Sequence, residues 1–330
     1  MVLVTGGLGF IGSHTVVELL KNKFEVVIID NLSNSKIGVL DKLKKITGKE
    51  IKFYQNDVSD KKALTKIFKE NKINGVIHFA GYKAVGESVE KPLMYYRNNI
   101  DSTLSLLEVM KDFNCYNIIF SSSATVYGKP ASLPIYEDFP LSTTNPYGTT
   151  KLFIEQILKD LYISDNKWNI TILRYFNPIG AHESGLIGED PNGIPNNLMP
   201  YIVKVANNEL PCLNIFGDDY DTVDGTGVRD YIHVVDLANG HVLALKNKKK
   251  GLKIYNLGTG RGTSVLELVN TFQKVNNINI NKKIVDRRPG DIDACFASCD
   301  KAFKELGFKA CKSIEDMCRD SYNYVKKNTK

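Results

Sequence analysis

The sequence lacks the patterns that are typical of metal and disulfide proteins. Its six cysteines form no C-x-x-C motif, and its five histidines show no metal-ligand spacing. Scattered cysteines of this kind are typical of reduced thiols in the cytoplasm, whereas disulfides and zinc sites need paired spacings. We therefore expect a cytoplasmic protein with no metal centre.

Long apolar runs and a leader segment are also missing. No apolar run approaches the roughly 18 residues that a membrane span requires. The first strand-like run begins at Met1 or Val2, and no basic region with an apolar core precedes it. We therefore expect neither a secretory signal nor a contact with a membrane.

The charge is modest and evenly scattered. The 43 Lys and Arg residues exceed the 37 Asp and Glu residues by 6. They form no basic stripe interleaved with aromatic residues, so the sequence does not favour a nucleic-acid partner. A small positive excess suits a doubly anionic small molecule.

The order of apolar runs predicts an α/β fold. Strand-like runs near 2–5, 25–30, 51–55, 75–79, 117–122 and 169–175 alternate with helix-like runs near 10–22, 60–70, 87–114 and 146–163. This alternation is typical of a Rossmann-type, doubly wound parallel sheet with helices on both faces. The 330 residues are enough for two domains.

Composition places the domain boundary. From 178 to 228 the chain is rich in Gly, Pro, Asn and Asp. We expect a dinucleotide-binding domain over 1–177 and a smaller, loop-rich, mixed α/β substrate domain over 178–330. Segments near 229–262 again read as strand and helix, and we expect them to return to the first domain.

A glycine turn between the first strand and the first helix is the most informative motif. Gly6, Gly9 and Gly12 follow Val4 at the spacing of a dinucleotide-binding turn, in which backbone amides approach a pyrophosphate at a helix N-terminus. Asp30 ends the second strand 18 residues after Gly12, where an acceptor for a ribose hydroxyl is expected. A carboxylate there would repel the 2′-phosphate of NADP, so the motif favours NAD.

Three side chains suggest acid–base chemistry. Tyr147 and Lys151 are four residues apart on a helix that Asn145 should cap, and Ser123 lies at a strand end. Two neighbouring cations, Lys151 and a nicotinamide ring, would lower the phenol pKa from its usual 10 toward neutrality. Tyr147 would then remove a proton from a substrate hydroxyl, and Ser123 would hydrogen-bond the same oxygen.

Longer segments resemble a known family over essentially the whole chain. The sequence is similar to the extended short-chain dehydrogenases/reductases, and within them to the UDP-glucose 4-epimerases. The segments that carry this resemblance are Val4–His14, Asp30–Ser35, His78–Ser88, Phe120–Gly128, Leu173–His182, Gly193–Pro200 and Gly225–His233.

The resemblance implies roles for individual residues. The family has catalytic residues that match Tyr147, Lys151 and Ser123. Its NAD contacts match Gly6, Gly9, Phe10, Ile11, Gly12, Asp30, Asn31, Asn34, Ser35, Asp57, Val58, Phe79, Ala80, Lys83, Asn98, Tyr147, Lys151 and Phe176. Its nucleotide-sugar contacts match Ser123, Tyr175, Asn177, Asn197, Leu198, Phe216, Arg229, Tyr231, Arg288, Asp291 and Cys295.

The resemblance also implies a reaction and an assembly. Bound NAD would oxidise C4 of a UDP-sugar transiently. The 4-keto sugar would then rotate about its diphosphate link so that its opposite face meets the cofactor, and reduction on that face would invert C4. A homodimer would form through helices near 87–114 and 146–163. Cys295 stands where some family members carry Tyr, and the smaller side chain predicts room for an acetamido group, hence turnover of UDP-N-acetylglucosamine.

Three alternatives remain open. A nucleotide-sugar 4,6-dehydratase would carry an Asp-Glu pair after the catalytic Ser or Thr, but Ala124 and Thr125 stand there. An epimerase of UDP-uronic acids would differ in its substrate only. A non-catalytic NAD sensor would lack the pair of Tyr147 and Lys151.

Overall fold

The structure is a computed structural model, and it describes residues 1–192, 197–247, 249–288 and 291–328. Within these residues the strands are β1 (Val2–Thr5), β2 (Val26–Ile29), β3 (Lys52–Tyr54), β4 (Gly75–His78), β5 (Asn117–Ser123), β6 (Asn169–Tyr175), β7 (Asn177–Ile179), β8 (Leu213–Phe216), β9 (Val228–Arg229), β10 (Tyr231–His233), β11 (Leu252–Leu257), β12 (Thr263–Ser264), β13 (Lys282–Val285) and β14 (Ala294–Cys295). The helices are α1 (Phe10–Lys21), α2 (Gly38–Thr47), α3 (Lys61–Glu70), α4 (Val85–Glu90), α5 (Pro92–Asp112), α6 (Pro146–Ser164), α7 (Leu198–Ala206), α8 (Val234–Lys246), α9 (Val265–Asn276), α10 (Asp300–Leu306) and α11 (Ile314–Asn328).

A seven-stranded parallel sheet takes the first six strands of the chain, β1 to β6, and one later strand, β11. Its strand order is β11-β6-β5-β4-β1-β2-β3, so chain order reverses between β1 and β4. Successive residues of a strand face opposite sides of a sheet. Val4 accordingly packs in the core that includes α1 and α8, whereas Leu3 packs in the core that includes α3, α5 and α6. The predicted α/β fold with helices on both faces is confirmed.

The chain returns to this sheet late. β11 is the edge strand beside β6, and α8 packs against α1. The strand β11, which lies within 229–262, therefore belongs to the large sheet. The return of the whole segment to the first domain remains a prediction. The boundary at 177/178 remains a prediction.

Two details differ from the expected helices. The run 87–114 is divided into α4 and α5, because Pro92 has no N–H to continue a helix and Lys91 takes a non-helical conformation (φ −129°, ψ 56°). The helix α2 was also not predicted from the sequence. Only Leu43 of that helix is buried, so its apolar pattern is weak.

The second half has a core of its own. Buried side chains of α7, α9 and α11, among them Ile202, Phe272 and Met317, pack together beside short two- and three-stranded sheets. In the described part of the chain, none of the helices is both long and apolar enough to cross a lipid bilayer.

Candidate active site

A cleft of about 1080 Å³ follows the carboxyl ends of the parallel strands. Asp30, Asp57, the segment 79–81 and the segment 121–123 all line it, each just after or at the end of a strand. These strand ends therefore converge on one cleft, at the place where chain order reverses, as is usual for ligand sites of open parallel sheets. Typical pockets for a single small molecule have volumes of about 300–1,000 Å³. The cleft can therefore hold a ligand as large as a dinucleotide.

The glycine turn forms one wall of the cleft. Gly6 has a φ of +65°, which glycine adopts without strain, and a Cβ atom on Gly12 would lie 2.2 Å from the carbonyl oxygen of Gly6. The N-cap residue Gly9 has no side chain to bond the first amides of α1. These amides are free to bind a phosphate at the positive end of the helix dipole.

Asp30 is held rigidly beside this turn. Its carboxylate accepts hydrogen bonds from the amide of Leu8 at 3.0 Å, the amide of Leu32 at 2.9 Å and the hydroxyl of Ser35 at 2.8 Å. Asp30 is buried, and these three hydrogen bonds hold its carboxylate in position next to the glycine turn. This arrangement suits a hydroxyl-bearing ribose and disfavours a phosphorylated one.

The helix that carries the acid–base candidates begins as the sequence predicts. Asn145 caps α6 by accepting from the amide of Gly148 at 2.8 Å, and Pro146 is the first helical residue. Tyr147 and Lys151 are one turn apart on the side of the helix that faces the cleft.

Ser123, Tyr147 and Lys151 come together at the other end of the cleft. The buried Lys151 Nζ donates to the carbonyl oxygen of Ser121 at 2.8 Å and lies 6.0 Å from the centroid of the Tyr147 ring. The hydroxyl of Ser123 lies close enough to the Tyr147 phenol to act on its pKa. A phenol, an ammonium and a serine hydroxyl can therefore act on one substrate oxygen.

Burial controls the protonation of this trio. It raises the pKa of Tyr147, and the neighbouring Ser123 hydroxyl opposes that rise. It also lowers the pKa of Lys151 to about 8. Lys151 alone therefore does not bring the phenol pKa below its ordinary value. The expected lowering requires the second cation, a nicotinamide ring, as well.

A second polar cluster is formed by residues that do not line this cleft. Asp291 pairs with Arg229 at 2.7 Å and with Arg288 at 3.1 Å, and the Arg288 guanidinium is 4.8 Å from the centroid of the Phe216 ring. Cys295 is the neighbour of Arg229 in the ladder of β14 and β9. Two guanidinium groups beside an aromatic face suit a diphosphate joined to a base.

Known proteins resemble this chain over nearly its full length. It is 59% identical to the UDP-glucose 4-epimerase of Haemophilus influenzae, with 100% of this chain and 98% of the relative covered. It is 57% identical to the UDP-glucose 4-epimerase of Bacillus subtilis, with 99% and 97% covered. A crystal structure of UDP-glucose 4-epimerase from Bifidobacterium longum, in complex with NAD⁺ and UDP, has a TM-score of 0.96 and 57% identity, with 99% and 98% covered.

The chain belongs to the UDP-glucose 4-epimerase family. It is thus an enzyme of the isomerase class. Residues 3–321 also match the wider family described as GDP-mannose 4,6 dehydratase. The acid pair expected of a dehydratase is replaced by Ala124 and Thr125, which begin a 3-10 turn directly after Ser123. The epimerase identification and the residues of the site therefore agree.

All candidate NAD contacts of this epimerase line the cleft. They are Gly6, Gly9, Phe10, Ile11, Gly12, Asp30, Asn31, Asn34, Ser35, Asp57, Val58, Phe79, Ala80, Lys83, Asn98, Tyr147, Lys151 and Phe176. Four candidate sugar contacts line it as well: Ser123, Tyr175, Asn177 and Asn197. Their roles remain predictions.

The remaining candidate sugar contacts are not among the residues that line the cleft. Leu198 begins α7 directly after Asn197, and Tyr231 is buried in β10. Phe216, Arg229, Arg288, Asp291 and Cys295 form the second cluster. Residues 193–196 of the family segment Gly193–Pro200 lie outside the described residues, as do residues 289 and 290 between Arg288 and Asp291.

One segment that lines the cleft carries no signal in the sequence. Residues 186–192 face the turn after β2 across the cleft. The amide of Asn192 donates to Asn34 at 3.0 Å, and Glu189 pairs with Lys83 at 3.1 Å. These partners are more than 100 positions apart in sequence, so no local spacing signals them. Among the described residues, no group of three or more metal-binding side chains occurs.

Proposed function

We propose that the enzyme interconverts UDP-galactose and UDP-glucose by reversible oxidation at C4 of the sugar. The observation that carries the proposal is the joining of two features in one cleft: the glycine turn with Asp30 at one end, and Ser123, Tyr147 and Lys151 at the other. A coupled assay for UDP-glucose formed from UDP-galactose tests it. A 4-keto-6-deoxy product would support a dehydratase instead, and no product would support a sensor.

The cleft residues fit NAD. Gly12 packs tightly on the backbone of Gly6, which fixes the turn at the start of α1. The free amides there suit a pyrophosphate, and the fixed carboxylate of Asp30 suits a ribose. Bound NAD supplies reversible hydride transfer at C4. Because the cofactor returns to its starting state in each cycle, it acts as a resident group and not as a second substrate.

The side chains of the trio move and hold the proton. Tyr147 Oη removes the proton of the sugar 4-hydroxyl and returns it to the 4-oxygen when the opposite face of the sugar is reduced. Ser123 Oγ hydrogen-bonds the same oxygen while it is a carbonyl. Lys151 Nζ, held by the carbonyl of Ser121, contributes positive charge next to the phenol ring.

The second cluster binds the UDP part. Arg229 and Arg288 contact the diphosphate, and Phe216, which is 38% exposed, packs against the uracil. In the structure Asp291 accepts from both arginines. The arginines are thus held close together, in position for a diphosphate.

Cys295 sets the size of the sugar site in this proposal. We expect turnover of UDP-N-acetylglucosamine as well as UDP-glucose, because Cys occupies less space than Tyr beside the sugar. Replacing Cys295 with tyrosine should lower kcat/KM for the acetylated sugar by about tenfold or more and leave that for UDP-glucose nearly unchanged. Initial rates on both sugars, measured side by side, check this. Equal losses on both sugars, or a parent enzyme inactive on the acetylated one, would refute it.

The enzyme also forms a homodimer in this proposal. Large apolar side chains are exposed on α5 and α6, including Leu93, Leu104 and Phe153, and the Phe153 ring contacts Tyr96 on α5. Exposed apolar surface that two neighbouring helices share is typical of a subunit interface.

Substitution on α6 tests the homodimer. Replacing Phe153 with glutamate should halve the mass in solution, measured by light scattering at micromolar concentration, because a charge would be buried at the interface. Phe303→Glu is the matched control, since Phe303 is exposed on α10, away from these helices. A monomeric parent enzyme, or a Phe153→Glu variant that remains dimeric, would contradict the assignment.

We further place the enzyme in the cytoplasm. All six cysteines are free thiols, and Cys311 is exposed. Exposed thiols persist in a reducing compartment.

A further inference from the structure

A buried ion pair lies directly behind the proposed catalytic residues. Arg174 Nη2 is 2.7 Å from Glu155 Oε2 and Arg174 Nε is 2.9 Å from Glu155 Oε1, and both side chains are at most 1% exposed. A two-point contact of this kind fixes the orientation of both groups. Buried ion pairs contribute little net stability compared with well-packed apolar side chains. A role in fixing geometry is therefore the more direct explanation.

The pair joins the elements that carry the catalytic groups. Glu155 follows Tyr147 by 8 positions and Lys151 by 4, so it lies on the same face of α6. Its Oε1 also accepts from the hydroxyl of Ser122 at 2.6 Å, and Ser122 precedes Ser123 in β5. Arg174 lies in the neighbouring strand β6. The spacing between α6 and β5 is thereby fixed on the protein side of the cleft.

Arg174 also reaches the turn that follows Ser123. Its Nη1 donates to Tyr127 Oη at 2.8 Å, and Tyr127 Oη donates to Asn256 at 2.6 Å. Tyr127 ends the 3-10 turn, and the amide of Thr125 in that turn donates to Ser123 Oγ at 3.2 Å. The Arg174 guanidinium therefore supports the chain before Ser123, through Glu155 and Ser122, and the chain after it, through Tyr127.

We propose that Glu155 and Arg174 are positioning residues, which keep Tyr147 on α6 aligned with Ser123 on β5 for proton transfer. This proposal rests on the roles assigned to Tyr147, Lys151 and Ser123 above. The bond from Lys151 to the carbonyl of Ser121 depends on the same spacing between helix and strand. A displacement of about 1 Å in such an arrangement can cost about 100-fold in rate.

Three variants of the intact enzyme test the proposal. Ser122→Ala removes one contact and leaves no charge unpaired, and it should lower kcat about 3- to 10-fold, with KM within about twofold of the parent value. Glu155→Gln should lower kcat about 10- to 100-fold and also lower the melting temperature, because Arg174 loses its partner. The double variant Glu155→Gln/Arg174→Met should regain melting temperature relative to Glu155→Gln, but its kcat should stay low.

The double variant separates positioning from stability. If the pair served only to hold the fold together, kcat would recover along with the melting temperature. Phe272→Leu is the control, since it weakens the remote core of α9 and should lower the melting temperature without changing kcat. If Glu155→Gln does not fold, Ser122→Ala decides the question.

The outcomes also distinguish this proposal from the one on which it rests. An active Tyr147→Phe variant in the same assay would overturn the assigned catalytic roles. An inactive Tyr147→Phe enzyme, together with a folded Ser122→Ala enzyme whose kcat lies within experimental error of the parent, would overturn the positioning role alone. So would a double variant whose kcat recovers.

Discussion

Replacing Tyr147 with phenylalanine should lower kcat by about 10²- to 10⁴-fold, the usual contribution of a positioned acid–base group. The variant loses only the phenol oxygen, so the ring still packs in the cleft beside Lys151. Initial rates of UDP-galactose conversion, with the NAD content and the UDP affinity of the same preparation, measure the effect.

The cofactor and nucleotide measurements are the control for that variant. Both should match the parent enzyme, because the glycine turn, Asp30 and the arginine cluster are unchanged. A Tyr147→Phe enzyme that turns over within tenfold of the parent rate would show that another group moves the proton. Tyr147 is also a predicted NAD contact, so a variant that loses NAD is assayed again with added NAD. Parent-like turnover under that condition would contradict the acid–base role.

The second large effect is expected at the glycine turn. A Cβ atom on Gly12 would lie 2.2 Å from the carbonyl oxygen of Gly6, and backbone atoms cannot move aside as a flexible side chain can. Gly12→Ala should therefore cost about 1–3 kcal/mol of overpacking strain in the cradle, which corresponds to a loss of NAD affinity of about 5- to 150-fold. The NAD content of the purified protein and a titration with added NAD measure it.

A second glycine that lines the same cleft provides a matched control. A Cβ atom on Gly38, at the start of α2, would meet no atom within 4 Å. Gly38→Ala should retain NAD as the parent enzyme does. If Gly12→Ala also retained it, the pyrophosphate would not lie against the glycine turn, and the cofactor assignment of that wall would be wrong.

Much of the large sheet could be predicted from the sequence because its strands are buried on both faces. Such strands read as continuous apolar runs, as in Val26–Ile29. The helix α2 was missed since its residues are mostly polar, although Gly48 in the left-handed conformation (φ +68°) is a typical helix terminator there. The division of α4 and α5 at Pro92 could have been predicted from proline alone.

The candidate site was predictable to the extent that its residues lie at strand ends or on one helix face. Asp30, Ser123 and the pair Tyr147 and Lys151 carry signals of position or spacing. The contact between Glu189 and Lys83 and the ion pair of Glu155 with Arg174 carry none, because each joins elements that only the tertiary fold brings together. The rise that burial gives to the Tyr147 pKa likewise depends on packing.

The fate of the hydrogen at C4 tests the central claim most directly. The enzyme should be given UDP-galactose with deuterium at C4, and the product analysed by NMR. If the cleft brings NAD, Tyr147 and C4 of the sugar together, the UDP-glucose formed should retain the deuterium at C4 and acquire none from heavy water at C5. Loss of the label to solvent, or a 4-keto-6-deoxy product, would contradict the account.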